Sequence, residues 1–300
     1  MIEKIESKIE SLKKARNAII LAHNYQMGEV QDIADFVGDS LELSRRAAST
    51  DADVIVFCGV LFMAETAAML SPGKTILLPA ANAGCPMADM ITPEQLCEFK
   101  EQHPNAAVVC YVNSSAEVKA ESDYCCTSSN ATQVVESIDK DREIVFVPDM
   151  NLGGYTAQKT NRKLILWEGY CHVHVCIRDT DIVLAKKQHP DAMVMVHCEC
   201  SDPVRRLADA VLSTSGMLTL AKESDADEFI VGTEIGMLHR LKKENPEKKF
   251  YPASESAVCP NMKLTTVENV LWSLEGMEHR ITVPDEIRVR ALKSLEAMRA

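Results

Sequence analysis

Cys85, Cys171 and Cys259 are separated by 86 and 88 residues. Thiols placed so evenly are candidate ligands, because thiolate is the side chain that soft metals select. Other chemistry-bearing residues keep nearly the same step. Tyr25, Asn113 and Glu199 lie 88 and 86 apart, as do Ser40, Ser128 and Thr214, and His23, Tyr111 and His197 join the same series. The set offers thiols for a metal, imidazole, phenol and carboxylate groups for proton transfer, and hydroxyls and an amide for holding polar substrate atoms.

A metal on three thiolates has two readings. Structural zinc usually takes four ligands, often paired as C-x-x-C, and none of the eleven cysteines forms such a pair. A 4Fe-4S cluster on three cysteines would leave one iron without a protein ligand, open as a Lewis acid. The plain alternative is that all three are core cysteines, since a repeated sequence repeats its packing residues too. Against it stand the polar residues that travel with them. Ser40, Ser128 and Thr214 fit N-capping, and hydroxyls with backbone N–H groups at helix starts also bind anions without any Lys or Arg cluster.

The elements that must position these residues recur with the same period, which marks a repeat architecture. Ile19 to His23, Val108 to Tyr111 and Met193 to His197 are apolar runs of strand length, each ending in a polar side chain. Runs led by Asp35, Asp123 and Asp209 follow, then Val54–Phe57, Glu143–Phe146 and Glu228–Val231, then Thr75–Pro79, Lys163–Leu166 and Lys249–Pro252. Helical patterns lie between them, at 41–48, 63–70, 155–160 and 236–243, and one opens each unit, at Ile2 to Leu12, Pro93–Lys100 and Asp181–Lys187. The fold class expected is α/β: three similar αβα units, each a small four-stranded parallel sheet, in pseudo-threefold arrangement around a central cavity. The units fall at 1–85, 86–171 and 172–259, with a helical segment, 260–300, packing back on the first. Ligands of parallel sheets bind beyond the carboxyl ends of the strands, which is where the three cysteines and the polar set fall.

Composition narrows the function classes. A net charge of −12 leaves no basic surface for nucleic acid. No apolar run reaches the roughly 18 residues that a membrane helix needs. The start Met1-Ile2-Glu3-Lys4 lacks the apolar core of a secretory signal, so a reducing cytoplasm is expected, in which cysteines stay free. Cys58, Cys110, Cys125 and Cys126 then read as small core hydrophobes, with Cys97 and Cys176 equally bland.

Several motifs, Ala22-His23-Asn24-Tyr25-Gln26, Gly38-Asp39-Ser40, Tyr111-Val112-Asn113-Ser114, Thr127-Ser128, Gly169-Tyr170-Cys171 with Val173-His174, and Gly232-Thr233-Glu234, resemble the quinolinate synthase family over essentially the whole chain. The resemblance implies condensation of iminoaspartate with dihydroxyacetone phosphate to quinolinate in NAD synthesis, with iminoaspartate passed on from the enzyme that makes it. It also implies a 4Fe-4S cluster on Cys85, Cys171 and Cys259, substrate binding by His23, Ser40, Tyr111, Asn113, Ser128, His197, Glu199 and Thr214, and catalysis by Glu199, Tyr111 and His23, with Glu199 as general base. Where the family commonly reads His-Pro-Glu-Cys, this chain has His197-Cys198-Glu199-Cys200, so two further thiols flank Glu199. Another 4Fe-4S hydro-lyase, or a noncatalytic metal-bound sensor, would use the same three cysteines.

Overall fold

A computed structural model describes residues 2–298. Its strands are β1 (Ala18–His23), β2 (Phe36–Gly38), β3 (Val54–Cys58), β4 (Thr75–Leu77), β5 (Ala107–Tyr111), β6 (Tyr124–Cys126), β7 (Ile144–Val147), β8 (Ile165–Leu166), β9 (Met193–His197), β10 (Ala210–Leu212), β11 (Glu228–Gly232), β12 (Lys249–Pro252) and β13 (Arg280–Ile281). They form three sheets, ordered β2-β1-β3-β4, β6-β5-β7-β8 and β10-β9-β11-β12, with every pair inside these sets parallel. Central strands such as Val54–Cys58 and Ala107–Tyr111 are buried along their whole length, which is why they read as continuous apolar runs rather than alternating ones.

The repeat is kept by polar residues as well. Asp35, Asp123 and Asp209 each precede the second strand of their sheet, and their carboxylates accept the backbone N–H of Ile20, Val108 and Val194 at 2.7, 2.9 and 2.8 Å. Each aspartate also donates its own N–H to the carbonyl of that same residue. The aspartates thus set the register of the second strand on the first, a purely structural reason for their even spacing.

The first sheet departs from the expected four strands. β13 adds a fifth, antiparallel to β4 with Arg280 opposite Leu77. It covers an edge that would otherwise present unpaired backbone groups. The helix before it, Val267–Gly276, lays Val270 and Leu274 beside Ile9 of the opening helix, Ile2–Arg16, and Ile20 of the first sheet. The last helix, Asp285–Ala297, packs on the Ala116–Ala120 helix and β6 of the second sheet, where Ala291 and Leu295 are buried. Residues 299 and 300 of the expected C-terminal segment, and Met1 at the start, lie outside the described residues. No described helix is long and apolar enough to cross a membrane.

Candidate active site and metal centre

His23 ends β1, Tyr111 ends β5 and His197 ends β9, so the carboxyl ends of the three central strands meet at one cavity. His23, Ser40, Tyr111, Asn113, Ser128, His197, Glu199 and Thr214 all line it, together with Cys85, Cys171 and Cys259. The structure therefore gathers the three candidate thiol ligands and the eight candidate substrate-binding residues at one place. No lysine or arginine lines the cavity among the described residues. Asn113 Oδ1 is buried there without a hydrogen-bond partner, an orphan that points to a bound group.

The two strand-end histidines repeat one hydrogen-bond pattern. His23 Nδ1 accepts the N–H of Tyr25 at 3.2 Å, and His197 Nδ1 accepts that of Glu199 at 3.3 Å. A ring nitrogen that accepts is unprotonated, so in both rings the proton sits on Nε2. Burial pushes His23 down to about 4 and His197 down to about 3. Both are neutral donors at neutral pH.

Glu199, 3 % exposed, is the centre of a buried network. Tyr111 donates to its Oε1 at 2.5 Å, and His174 Nδ1 lies 2.8 Å from its Oε2. Behind His174, Nε2 lies 2.9 Å from Thr233 Oγ1, which is 2.7 Å from the Tyr25 hydroxyl. Burial by itself would raise the Glu199 carboxyl, but His174 first, then His197 and the bonds from His174 and Tyr111, outweigh it and hold the group well below the usual carboxylate range. Burial, and next the Glu199 charge, push the phenols of Tyr111 and Tyr25 well up, so both stay protonated donors. Residue-by-residue alignment of the units missed His174 and Thr233 as site residues, because neither follows the first strand of a unit. The motifs Val173-His174 and Gly232-Thr233-Glu234 were the available signal.

Backbone N–H groups point at all three cavity thiols: those of Met87 and Ala88 at Cys85, of His174 at Cys171, and of Asn261 and Met262 at Cys259. N–H groups aimed at sulfur suit thiolate ligands. Without a cation the thiols stay protonated. Burial pushes Cys85 up to about 12 and Cys171 well above its usual value, and neighbouring thiols and Glu199 add to this. A metal would repay ionisation here. Among the described residues, the donor atoms gathered within 4.8 Å of one another are those of Cys171, His174 and Glu199, with Cys171 Sγ 3.1 Å from His174 Nδ1. Cys85 and Cys259 line the same cavity outside this compact group. The donor set fits a metal cofactor.

The remaining cysteines sit apart. Cys198 and Cys200 are 1 % and 0 % exposed and do not line the cavity; burial pushes both thiols up. Arg205 Nη1 donates to the carbonyls of Asn151, Cys198 and Cys200, so the turn carrying Glu199 is tied to the second sheet's Met150–Thr160 helix. Cys58, Cys110, Cys125 and Cys126 are buried as expected, whereas Cys97 and Cys176 are exposed and not core residues. They lie on helices Pro93–Gln102 and His172–Cys176, at positions that face solvent.

Two buried acids brace the cavity wall. Glu234 accepts from the N–H of Cys259 at 3.0 Å and of Gly236 at 2.7 Å, and pairs with Lys263, which also donates to the carbonyl of Tyr25. A Cβ at position 236 would stand 2.8 Å from Glu234 Oε2, Lys263 Nζ and Tyr25 O, so this close approach requires glycine. Asp39 caps the Ser40–Ser49 helix through Leu41 and Glu42, and its other oxygen accepts the hydroxyls of Ser129 at 2.8 Å and Ser215 at 2.6 Å.

Comparison of the sequence with known proteins gives the family. The family model described as Quinolinate synthetase A protein matches residues 7–300. Among similar curated proteins, the quinolinate synthase of Dehalococcoides mccartyi strain CBDB1 is 60 % identical over 99 % of this chain and 98 % of its own length. That of Thermodesulfovibrio yellowstonii is 54 % identical over the same shares, and quinolinate synthase 1 of Methanosarcina acetivorans is 56 % identical over 98 % and 96 %. With the family matched along nearly its whole length and the site assembled from all three sheets, the chain belongs to the quinolinate synthetase A family.

Proposed function

We propose that this protein condenses iminoaspartate with dihydroxyacetone phosphate to quinolinate, losing phosphate and water, in NAD synthesis, with a 4Fe-4S cluster held by Cys85, Cys171 and Cys259. The observation that carries this reading is one cavity in which three N–H-supported thiols face the Glu199–Tyr111–His174 network. When bound, a cluster with one iron free of protein ligands supplies Lewis-acid pull on a substrate oxygen.

The chain's own residues divide the remaining work. The hydroxyls of Ser40, Ser128 and Thr214 and the Nε2–H groups of His23 and His197 hold the carboxylates and the phosphate, which suits a cavity wall without lysine or arginine. The orphan Asn113 Oδ1 accepts an N–H from the nitrogen-bearing substrate. Tyr111 donates toward a carbonyl oxygen. Glu199 accepts from Tyr111 on one oxygen and lies against His174 on the other, which leaves a lone pair on each oxygen for a substrate proton, so Glu199 acts as the base with His174 holding it in place. His23, whose Nδ1 is already engaged, serves as a donor rather than a base. Enclosure of the site limits leakage of water onto the unstable imine, a reason for direct handover from the enzyme that makes it.

The test is anaerobic purification with iron and sulfide analysis, followed by assay of quinolinate from the two substrates. The expected content is about four irons per chain, lost in air. Glu199→Gln should keep the iron and lose roughly 100-fold or more in turnover. A single tightly held zinc, or a Glu199→Gln protein of full activity, refutes the reading; the zinc result would favour one ion on Cys171, His174 and Glu199, the compact donor set.

A further inference from the structure

Asn24 follows β1 directly and is fully buried, yet it does not line the cavity. Its amide bridges two helices of the third unit, Thr214–Glu223 and Met237–Glu244. Arg240 Nη1, on the Met237–Glu244 helix, donates to Asn24 Oδ1 at 2.9 Å, and Asn24 Nδ2 donates to Thr214 Oγ1 at 2.9 Å. A guanidinium can only donate. Its presence therefore decides which end of the amide is oxygen, and the nitrogen must face Thr214. Thr214 is 2 % exposed and lines the cavity, and its own proton meets no protein acceptor among the described residues.

We propose that Asn24 is a positioning residue for substrate: locked by Arg240, it fills an acceptor site of the Thr214 hydroxyl and so directs that hydroxyl's proton into the cavity as a preset donor to an anionic substrate group. Among the described residues, Ser40 and Ser128 on the same wall receive no such amide donor, so the first unit's Asn24 serves the third unit's hydroxyl alone. A preset donor costs no reorientation when the anion arrives, which is the advantage of a prearranged polar site over water. The inference rests on the proposed reading of the cavity, in which Thr214 holds a carboxylate or phosphate.

The experiment compares wild type, Asn24→Asp, Thr214→Val, the double variant and Arg240→Met, each as cluster-loaded protein, by kcat and KM for quinolinate formation, with iron content and melting temperature as folding checks. Asp at position 24 is nearly isosteric, but it accepts the Thr214 proton instead of donating to the oxygen. The expected result is a KM raised on the order of tenfold in both Asn24→Asp and Thr214→Val, with kcat within about twofold and iron retained. The double variant should be no worse than Thr214→Val alone, since both changes remove the same donor. Arg240→Met, at a half-buried surface position, releases the amide to flip and should raise KM about two- to threefold. Should Asn24→Asp prove unfolded or iron-poor, Arg240→Met carries the test alone, and an unchanged KM there overturns the proposal. A tenfold KM effect in Thr214→Val with none in Asn24→Asp overturns the proposal while leaving the reading of the cavity intact. If Thr214→Val leaves KM unchanged, or wild type forms no quinolinate, the reading beneath it has failed instead.

Discussion

The His23 imidazole is buried at the cavity wall, and its Nδ1 takes the Tyr25 N–H. Its charged form is disfavoured first by lost hydration; the fields of Asp39 and Glu199 restore only part of that. An unfolded imidazole takes up a proton near pH 6.5, whereas the folded one waits until about 4. Stability is therefore unaffected above pH 6.5 and falls as pH drops from there to about 4. The gap corresponds to on the order of 3 kcal/mol. Wild type and His23→Gln, melted in the same metal state across pH 4 to 7, should differ in slope in this window, with the variant flatter; parallel slopes would refute the assignment. The sequence marked His23 as chemistry-bearing through its repeat position, but whether it is base or donor depends on which nitrogen the Tyr25 backbone occupies.

Helix starts are where the three sheets are joined. Asp39 caps Ser40–Ser49 and reaches Ser129, near the start of Ala131–Ser137, and Ser215, in the first turn of Thr214–Glu223. One carboxylate from the first unit thus holds hydroxyls of the other two and sets the neighbouring Ser128 and Thr214 on the cavity wall. Removing it forfeits a cap and two bonds to a charged acceptor, together about 4 kcal/mol. Asp39→Ala should lower the melting temperature and speed hydrogen exchange around residues 128–131 and 213–216, with Asp39→Asn intermediate because it can still cap. Exchange unchanged at both segments would show that the hydroxyls do not depend on Asp39. The hydroxyl series at 40, 128 and 214 was legible as N-caps or anion donors. That the neighbouring Asp39, Ser129 and Ser215 clasp the units was not, since partners 90 and 176 residues apart leave no local pattern.

Across the whole molecule, the C-terminal segment works as a strap. Val267–Gly276 and β13 complete the first sheet, and Asp285–Ala297 buries Leu295 against the second. Ser294 on the same helix donates to the carbonyl of Lys119 at 2.8 Å. Leu295 is fully buried, so Leu295→Ala should cost about 2–5 kcal/mol, read as a lower melting temperature with iron content preserved in the folded fraction. A melt within a degree of wild type would mean that this helix adds little to the joint.

The repeat spacing, the strand runs and the polar residues closing them belong to the sequence alone, because the backbone needs of a parallel unit recur locally and mark their period in residue type. From them came the three-sheet architecture and the candidate residues that now line one cavity. The fifth strand, the exposed Cys97 and Cys176, and the partners His174, Thr233 and Arg240 were settled only by tertiary structure. Those features depend on which distant elements pack together, and hydrogen-bond direction, burial and charge at Glu199, His23 and Asn24 exist only once that packing has removed water from around them.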